Sequence, residues 1–178
     1  MRILYGLMVA VIVLFLFLKG DLQERKGELP VFMKTDEISR LHQSKININI
    51  KATYRPSNFN LKKLKEDYNN LWAHLNHLYQ TNDVEAGKEY YTENWFKFIC
   101  NNRQTPKSTV NIRTDSIHHL NILNWSSDQL VCTAIDSNII LKYEKPERRE
   151  KVTIAFVLLF QGDHWRLDAL RIINIQPF

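Results

Sequence analysis

The stretch KVTIAFVLLFQGDHWRLDALRIINI, residues 151–175, decides the fold. Val152 to Phe160 is apolar at both parities, as in a strand covered on two faces. Gln161-Gly162-Asp163-His164 has the composition of a tight hairpin turn. Beyond it, Trp165 to Ile175 is again rich in β-branched and aromatic residues, so the stretch reads as two antiparallel strands. The first of them should lie centrally, with helix over one face and further cover over the other.

Upstream, Ile117 to Trp125 and Gln129 to Tyr143 read as two more strands, joined by Ser126-Ser127-Asp128. The interleaved charges of Glu144 to Glu150 read as a solvated loop, and Asn102 to Ser116 as a polar loop with a brief strand at 110–112. Earlier still, Leu61, Leu64, Tyr68, Leu71, Leu75 and Leu78 follow 3-4-3-4-3 spacing, which marks an amphipathic helix. Asn58 or Asn60 is its expected cap, and Thr81-Asn82-Asp83 breaks it. A second helix is expected from Val84 or Ala86 to Asn101. Its Tyr90, Tyr91, Trp95, Phe96, Phe98 and Ile99 should anchor the core, because burying each large ring contributes roughly 1.5–3 kcal/mol.

Farther out, Ile46, Ile48 and Ile50 alternate with Asn47, Asn49 and Lys51, the period of a strand with one buried face. Set apart in sequence, it should dock on the edge of its own sheet or on another subunit. Residues 19 to about 45 read as a polar tether with a short helix around Thr35 to His42. The chain therefore divides into an anchor over 1–19, a tether over 20–58 with an edge strand at 46–50, and a folded domain over 59–178.

The anchor rests on Ile3 to Leu18, which carries no charge. Sixteen helical residues span roughly 24 Å, slightly short of the roughly 30 Å hydrocarbon core. Arg2 and Lys19 can reach the headgroups and make up part of the difference. A cleaved signal peptide competes with this reading, but the exit Leu18-Lys19-Gly20-Asp21 lacks the small residues that the peptidase requires. Basic residues flank both ends, so the positive-inside rule does not choose an orientation. The default is a single-pass inner-membrane protein with its domain in the periplasm.

With 44% hydrophobic and 24% charged residues, the 178-residue chain has the composition of a folded protein. Its net charge of +5 is dispersed among acids, so no nucleic-acid partner is expected. Cys100 and Cys132 lack zinc-site spacing. They read as free buried thiols, or as a disulfide if the domain is exported and the two elements pack together. His74 and His77 could share a metal on one helix face, yet His77 falls opposite the leucine stripe and His74 at its margin, which favours solvated rim positions. His118 and His119 point to opposite faces of a strand. Asp136 shares parity with Leu130, Cys132 and Ala134; it is either an inward acid–base group or, as favoured here, part of a β-bulge at Asp136-Ser137-Asn138. Asp168 and Arg166 should form a surface ion pair worth about 0–1 kcal/mol. No catalytic residue, metal or cofactor is expected.

The order of two helices and an antiparallel meander, the EYYTENWFKFI helix at 89–99 and the closing GDHWRLDALRII hairpin at 162–173 resemble the nuclear transport factor 2-like fold, over roughly Asn60 to Ile175. That resemblance implies an α+β domain behind a transmembrane helix, with two or three helices packed on a curved antiparallel sheet of four or more strands. It also implies a cone whose lining would include Tyr91, Trp95, Phe98, Asp136 and Trp165. The whole layout looks like the VirB-type scaffold subunits of type IV secretion and conjugation machines, which often carry Tyr/Phe-Thr-x-x-x-Trp on the helix after the first. Tyr91, Thr92 and then Trp95 or Phe96 stand in similar order. The implied role is a non-catalytic, membrane-anchored assembly subunit that contacts the bilayer through residues 3–18 and other subunits through its domain, and that can form oligomers. Ile46, Ile48 and Ile50 would form a partner strand. The alternative is a membrane-tethered cone that binds a small ligand or acts as an isomerase or dehydratase.

Overall fold

Gly162 turns the chain at φ +67°, a left-handed conformation that glycine adopts without a Cβ penalty. From it two long strands run back against each other, paired from Gln161↔His164 to Glu150↔Pro177. The computed structural model describes residues 31–42, 44–102 and 112–178. In chain order the elements are α1 (Val31–Leu41), β1 (Ile46–Ile50), α2 (Asn58–Thr81), a 3-10 turn (Glu85–Tyr90), α3 (Glu93–Asn101), β2 (Arg113–Thr114), β3 (His118–Trp125), β4 (Val131–Glu144), β5 (Glu147–Gln161) and β6 (His164–Pro177). The class is α+β. The anchor expected at 1–19 lies outside the described residues, and among the described residues no helix is long and apolar enough to cross a membrane.

Among the described residues, six strands form one open mixed sheet in the order β1-β3-β4-β5-β6, with β2 added to β4. Short links make β3 to β6 an antiparallel meander, with β5 inside it as its apolar run requires. Its inward residues Val152, Ile154, Phe156 and Leu158 are buried, whereas Thr153, Ala155, Val157 and Leu159 on the other face are half-buried. β1 joins the edge of its own sheet, parallel to β3, because the helices between them carry the chain back to the same end. The charged run expected as a loop is mostly strand. β4 continues to Glu144, β5 begins at Glu147, and only Lys145 and Pro146 turn between them, joined by a cis peptide bond.

The leucine stripe of α2 packs on the sheet, with Leu64, Tyr68, Leu71 and Trp72 buried. Its cap is Ser57, rather than Asn58 or Asn60; the Ser57 side chain accepts the Asn60 amide at 3.1 Å. Asn82, at φ 60°, closes the other end as expected of that break. Asp67, Ala73, His74 and Asn76 are buried too. α2 is thus covered on more faces than its stripe indicates, with α1 and the 3-10 turn packed against it.

The expected second helix is two elements. Thr92 leaves the helical conformation and caps α3, its hydroxyl accepting the Trp95 amide at 3.2 Å, while its own amide donates to the Leu167 carbonyl at 2.9 Å. The core anchor falls at the end of the first element and just beyond it, where Tyr90 and Tyr91 are buried. α3 has no buried residue, and Phe98 is 55% exposed. A Cβ at Gly87 would lie 2.7 Å from the Tyr91 ring. Gly87→Ala is therefore expected to destabilise the domain by about 1–3 kcal/mol, measurable as a lower urea midpoint at unchanged slope.

Candidate functional site

The polar side chains of the interior converge beneath α2. On β3, His118 shares parity with Leu120 and Ile122 and faces inward, while His119 is exposed, as consecutive strand residues must be. Across the ladder, Leu120 pairs with Asp136. His118 Nδ1 lies 2.6 Å from Asp136 Oδ2, and Nε2 lies 2.7 Å from Asp115 Oδ2, with all three side chains at 0% exposure. Asp136 also accepts the Tyr68 hydroxyl at 2.7 Å and the His119 amide at 2.8 Å. Asp115 further meets His42 at 2.8 Å and the Asn76 amide. An imidazole held between two carboxylates keeps its proton: despite burial, these hydrogen bonds push His118 up to about 9. The same contacts, from His118 and His42, hold Asp115 well below the usual carboxylate range against the opposing effect of burial. Burial and the adjoining Asp136 charge push the Tyr68 hydroxyl far up.

Arg113 on β2 extends this network toward an open cavity of about 140 Å³. Its Nε donates to Asn76 Oδ1 and an Nη to the Leu75 carbonyl, each at 2.8 Å, and the guanidinium lies 4.7 Å from the Tyr79 ring centroid. Burial lowers the pKa of the guanidinium below its ordinary value. The cavity occupies the far end of the inward sheet face, where Leu141, Val152, Ile154, Leu170, Ile172 and Ile175 make an apolar mouth and Tyr143 and Glu150 a polar rim. Trp72 lines it and lies 4.8 Å, ring to ring, from His118. The charged cluster is therefore packed behind Trp72, and every one of its acceptors named above is directed at a protein donor. A general base must reach the proton that it abstracts. Here the geometry serves to hold α2 and β2 to β4 rather than to present a lone pair.

None of the five residues expected to line a cone lines this mouth. Trp165 packs on Trp125 and Phe160, with centroids 4.8 and 5.4 Å away. Tyr91 is buried and bridges Leu167. Trp95 stacks on the exposed Phe98 at 5.2 Å, at the periphery. Asp136 is both inward and at a bulge: the β4–β5 register shifts between Asp136 and Ile139, and Asn138 has φ 62°. Cys132 and Ala134 share its buried face, whereas Leu130, just before the strand, is 45% exposed.

Several polar assignments change. His74 is not a solvated rim residue. It is buried under α1, 3.2 Å from the Ser39 hydroxyl and stacked on Tyr90 at 5.1 Å, and burial lowers its pKa to about 4. His77 stands apart, 3.9 Å from Asp83, and the described residues hold no metal-binding group of three or more His, Cys, Asp or Glu. Asp168 accepts the Thr92 hydroxyl at 2.8 Å instead of pairing with Arg166. Both cysteines are free; Cys132 is buried, its thiol pushed up to about 12, but Cys100 is exposed on α3. The sequence reading overlooked Asp67, Asp115 and Arg113. His118 offered a usable signal, since its parity with Leu120 and Ile122 places a histidine among core residues.

Comparisons with protein-family models, with curated proteins and with solved structures give no match for this chain.

Proposed function

We propose that this chain is a non-catalytic assembly subunit, held at a membrane by its apolar run at 3–18, whose domain docks other protein subunits at the open end of its sheet. The observation that carries the reading is the apolar mouth. Ile172 and Ile175 are each 50% exposed, and Ile173 and Phe178 beside them 53% and 70%. All residues from Arg171 to Phe178 are exposed, and the first half of β6 alone is bridged on its outer side by Tyr91 among the described residues. Clustered apolar side chains on a strand end suit a protein partner better than water. The carboxylate–imidazole cluster, saturated behind Trp72, fits an architectural role. A nuclear transport factor 2-like fold and a VirB-type setting remain part of this proposal, on the sequence resemblance alone.

Gentle solubilisation of membranes should recover the full chain together with other subunits. Ile172→Gln/Ile175→Gln should then release those subunits while lowering stability by only about 1 kcal/mol. Recovery of the wild-type chain as a lone monomer, or from the soluble fraction, would remove the proposal. The cavity itself supports a second reading, a tethered small-ligand binder, because Arg113 gives its apolar wall a single half-buried cation. Native mass spectrometry separates the two: a retained small molecule, displaced by Ile172→Trp, favours the binder.

A further inference from the structure

β1 is the end strand of the sheet, paired on one side alone among the described residues. The His118 amide donates to the Lys45 carbonyl and the Lys51 amide to the Ile122 carbonyl, each at 2.9 Å. Lys45, Asn47, Asn49 and Lys51 thus turn their backbone groups toward β3. Successive residues of a strand alternate in this respect, so the N–H and C=O groups of Ile46, Ile48 and Ile50 point away from the sheet. An end strand without charge or proline is a template for a further strand. Alongside it lies a groove of about 620 Å³, with Ser44 and Ile46 on the strand side and Lys62, Lys65, Glu66 and Asn69 on α2. A sheet edge facing a helix combines main-chain hydrogen bonding with side-chain selection.

We propose that this groove takes an extended acidic segment of a partner protein as an added strand beside β1. The inference rests on the assembly reading above and names the partner's chemistry at a second surface. Charge selects the occupant. Lys62 and Lys65 line the groove, Lys45 and Lys51 bracket the strand, and all four are exposed. The one acid among the lining residues, Glu66, pairs with Lys62 at 3.8 Å and offsets that one charge, so Lys45, Lys51 and Lys65 leave the edge net basic. A second copy of β1 fits poorly: antiparallel pairing centred on Ile48 would set each Lys45 against a Lys51, and like charges directly opposite destabilise a sheet. A segment with apolar residues at alternate positions would continue the Ile46, Ile48 and Ile50 row, with its carboxylates meeting the lysines.

The test uses the full-length chain in native membranes, with a photocrosslinking amino acid in place of Glu66 and the captured segment sequenced. The expected product is a stretch of another protein bearing several carboxylates. Lys62→Glu/Lys65→Glu should reduce its yield about tenfold or more, and Lys62→Arg/Lys65→Arg should preserve it. The yield should also fall as salt rises from about 0.1 M to about 0.5 M. Both lysine pairs are surface changes, so an unchanged melting transition verifies the fold. Ile48→Pro, which removes the central edge donor, should abolish the product if that variant folds. Crosslinking to residues 1–30 of the same chain, to a second copy, to lipid or to a neutral or basic segment overturns the inference, as does a yield indifferent to charge reversal. If subunits still co-purify through the β6 end while Glu66 captures none of them, this inference fails and the assembly reading stands. If the wild-type chain has no partner at all, both fail.

Discussion

His118→Ala is expected to cost about 3–5 kcal/mol of folding stability, measured by urea titration at neutral pH. The substitution leaves the carboxylates of Asp115 and Asp136 buried and facing the space that the imidazolium had occupied. Two like charges without their shared counter-ion repel, and neither can reach water. A domain of this size has about 5–15 kcal/mol in total, so the variant should approach the limit of folding. The pH dependence gives a finer signature. The folded pKa of His118 is raised from 6.5 to about 9, so its contribution is complete below about 6.5 and is lost as pH rises through about 9. That limb corresponds to about 3 kcal/mol. His74 acts in the opposite sense. Its folded pKa is lowered to about 4, so stability falls as pH drops below about 6.5. The depressed Asp115 carboxyl adds a further loss at lower pH. Stability should therefore peak near pH 6.5, and His118→Gln should lack the alkaline limb. A wild-type curve that is flat from about pH 6 to about 9 would show that the clamp does not hold its proton.

Asp67→Ala should be nearly as damaging, at about 3–5 kcal/mol. Asp67 lies on α2 at 1% exposure and accepts the Trp165 amide at 2.8 Å and His164 Nδ1 at 2.9 Å, with Lys63 3.2 Å away. It therefore joins α2 to the first residues of β6, where Trp165 packs on Trp125 and Phe160. Alanine would leave a buried backbone donor unpaired beside that aromatic cluster, and an unmet buried donor costs about 1–3 kcal/mol by itself. Asp67→Asn keeps an acceptor for the Trp165 amide and should lose less than half as much. Equal losses in the two variants would mean that the charge, rather than the acceptor, supports this corner. The near-ultraviolet circular dichroism of the tryptophans reports it directly.

The strands and α2 were legible because each carries its own period. The alternation of Ile46–Ile50, the apolar run of β5 and the leucine stripe of α2 record which face is buried, and burial faces follow from local geometry. Breaks were legible where the turn chemistry is strong, at Asn82 and Gly162. The split at Tyr91–Thr92 is hidden by the run of aromatics, which suits one continuous helix, although Thr92 is a cap by residue type. The alternating charge of Glu144–Glu150 does not distinguish a loop from the exposed end of a long hairpin, which is what these residues form.

The buried cluster was legible only in part. Parity alone turns His118 and Asp136 inward, and the bulge at Asp136 follows from its neighbours' turn propensity. What tertiary structure decided is who meets whom. Tyr68 reaches Asp136 across 68 positions, Asp67 reaches Trp165 across 98, and α1 covers His74 from 35 positions away. Periodicity specifies the direction of a side chain relative to its own element. The partner waiting there depends on how elements far apart in the chain are stacked, and that is set by the packing of the whole core.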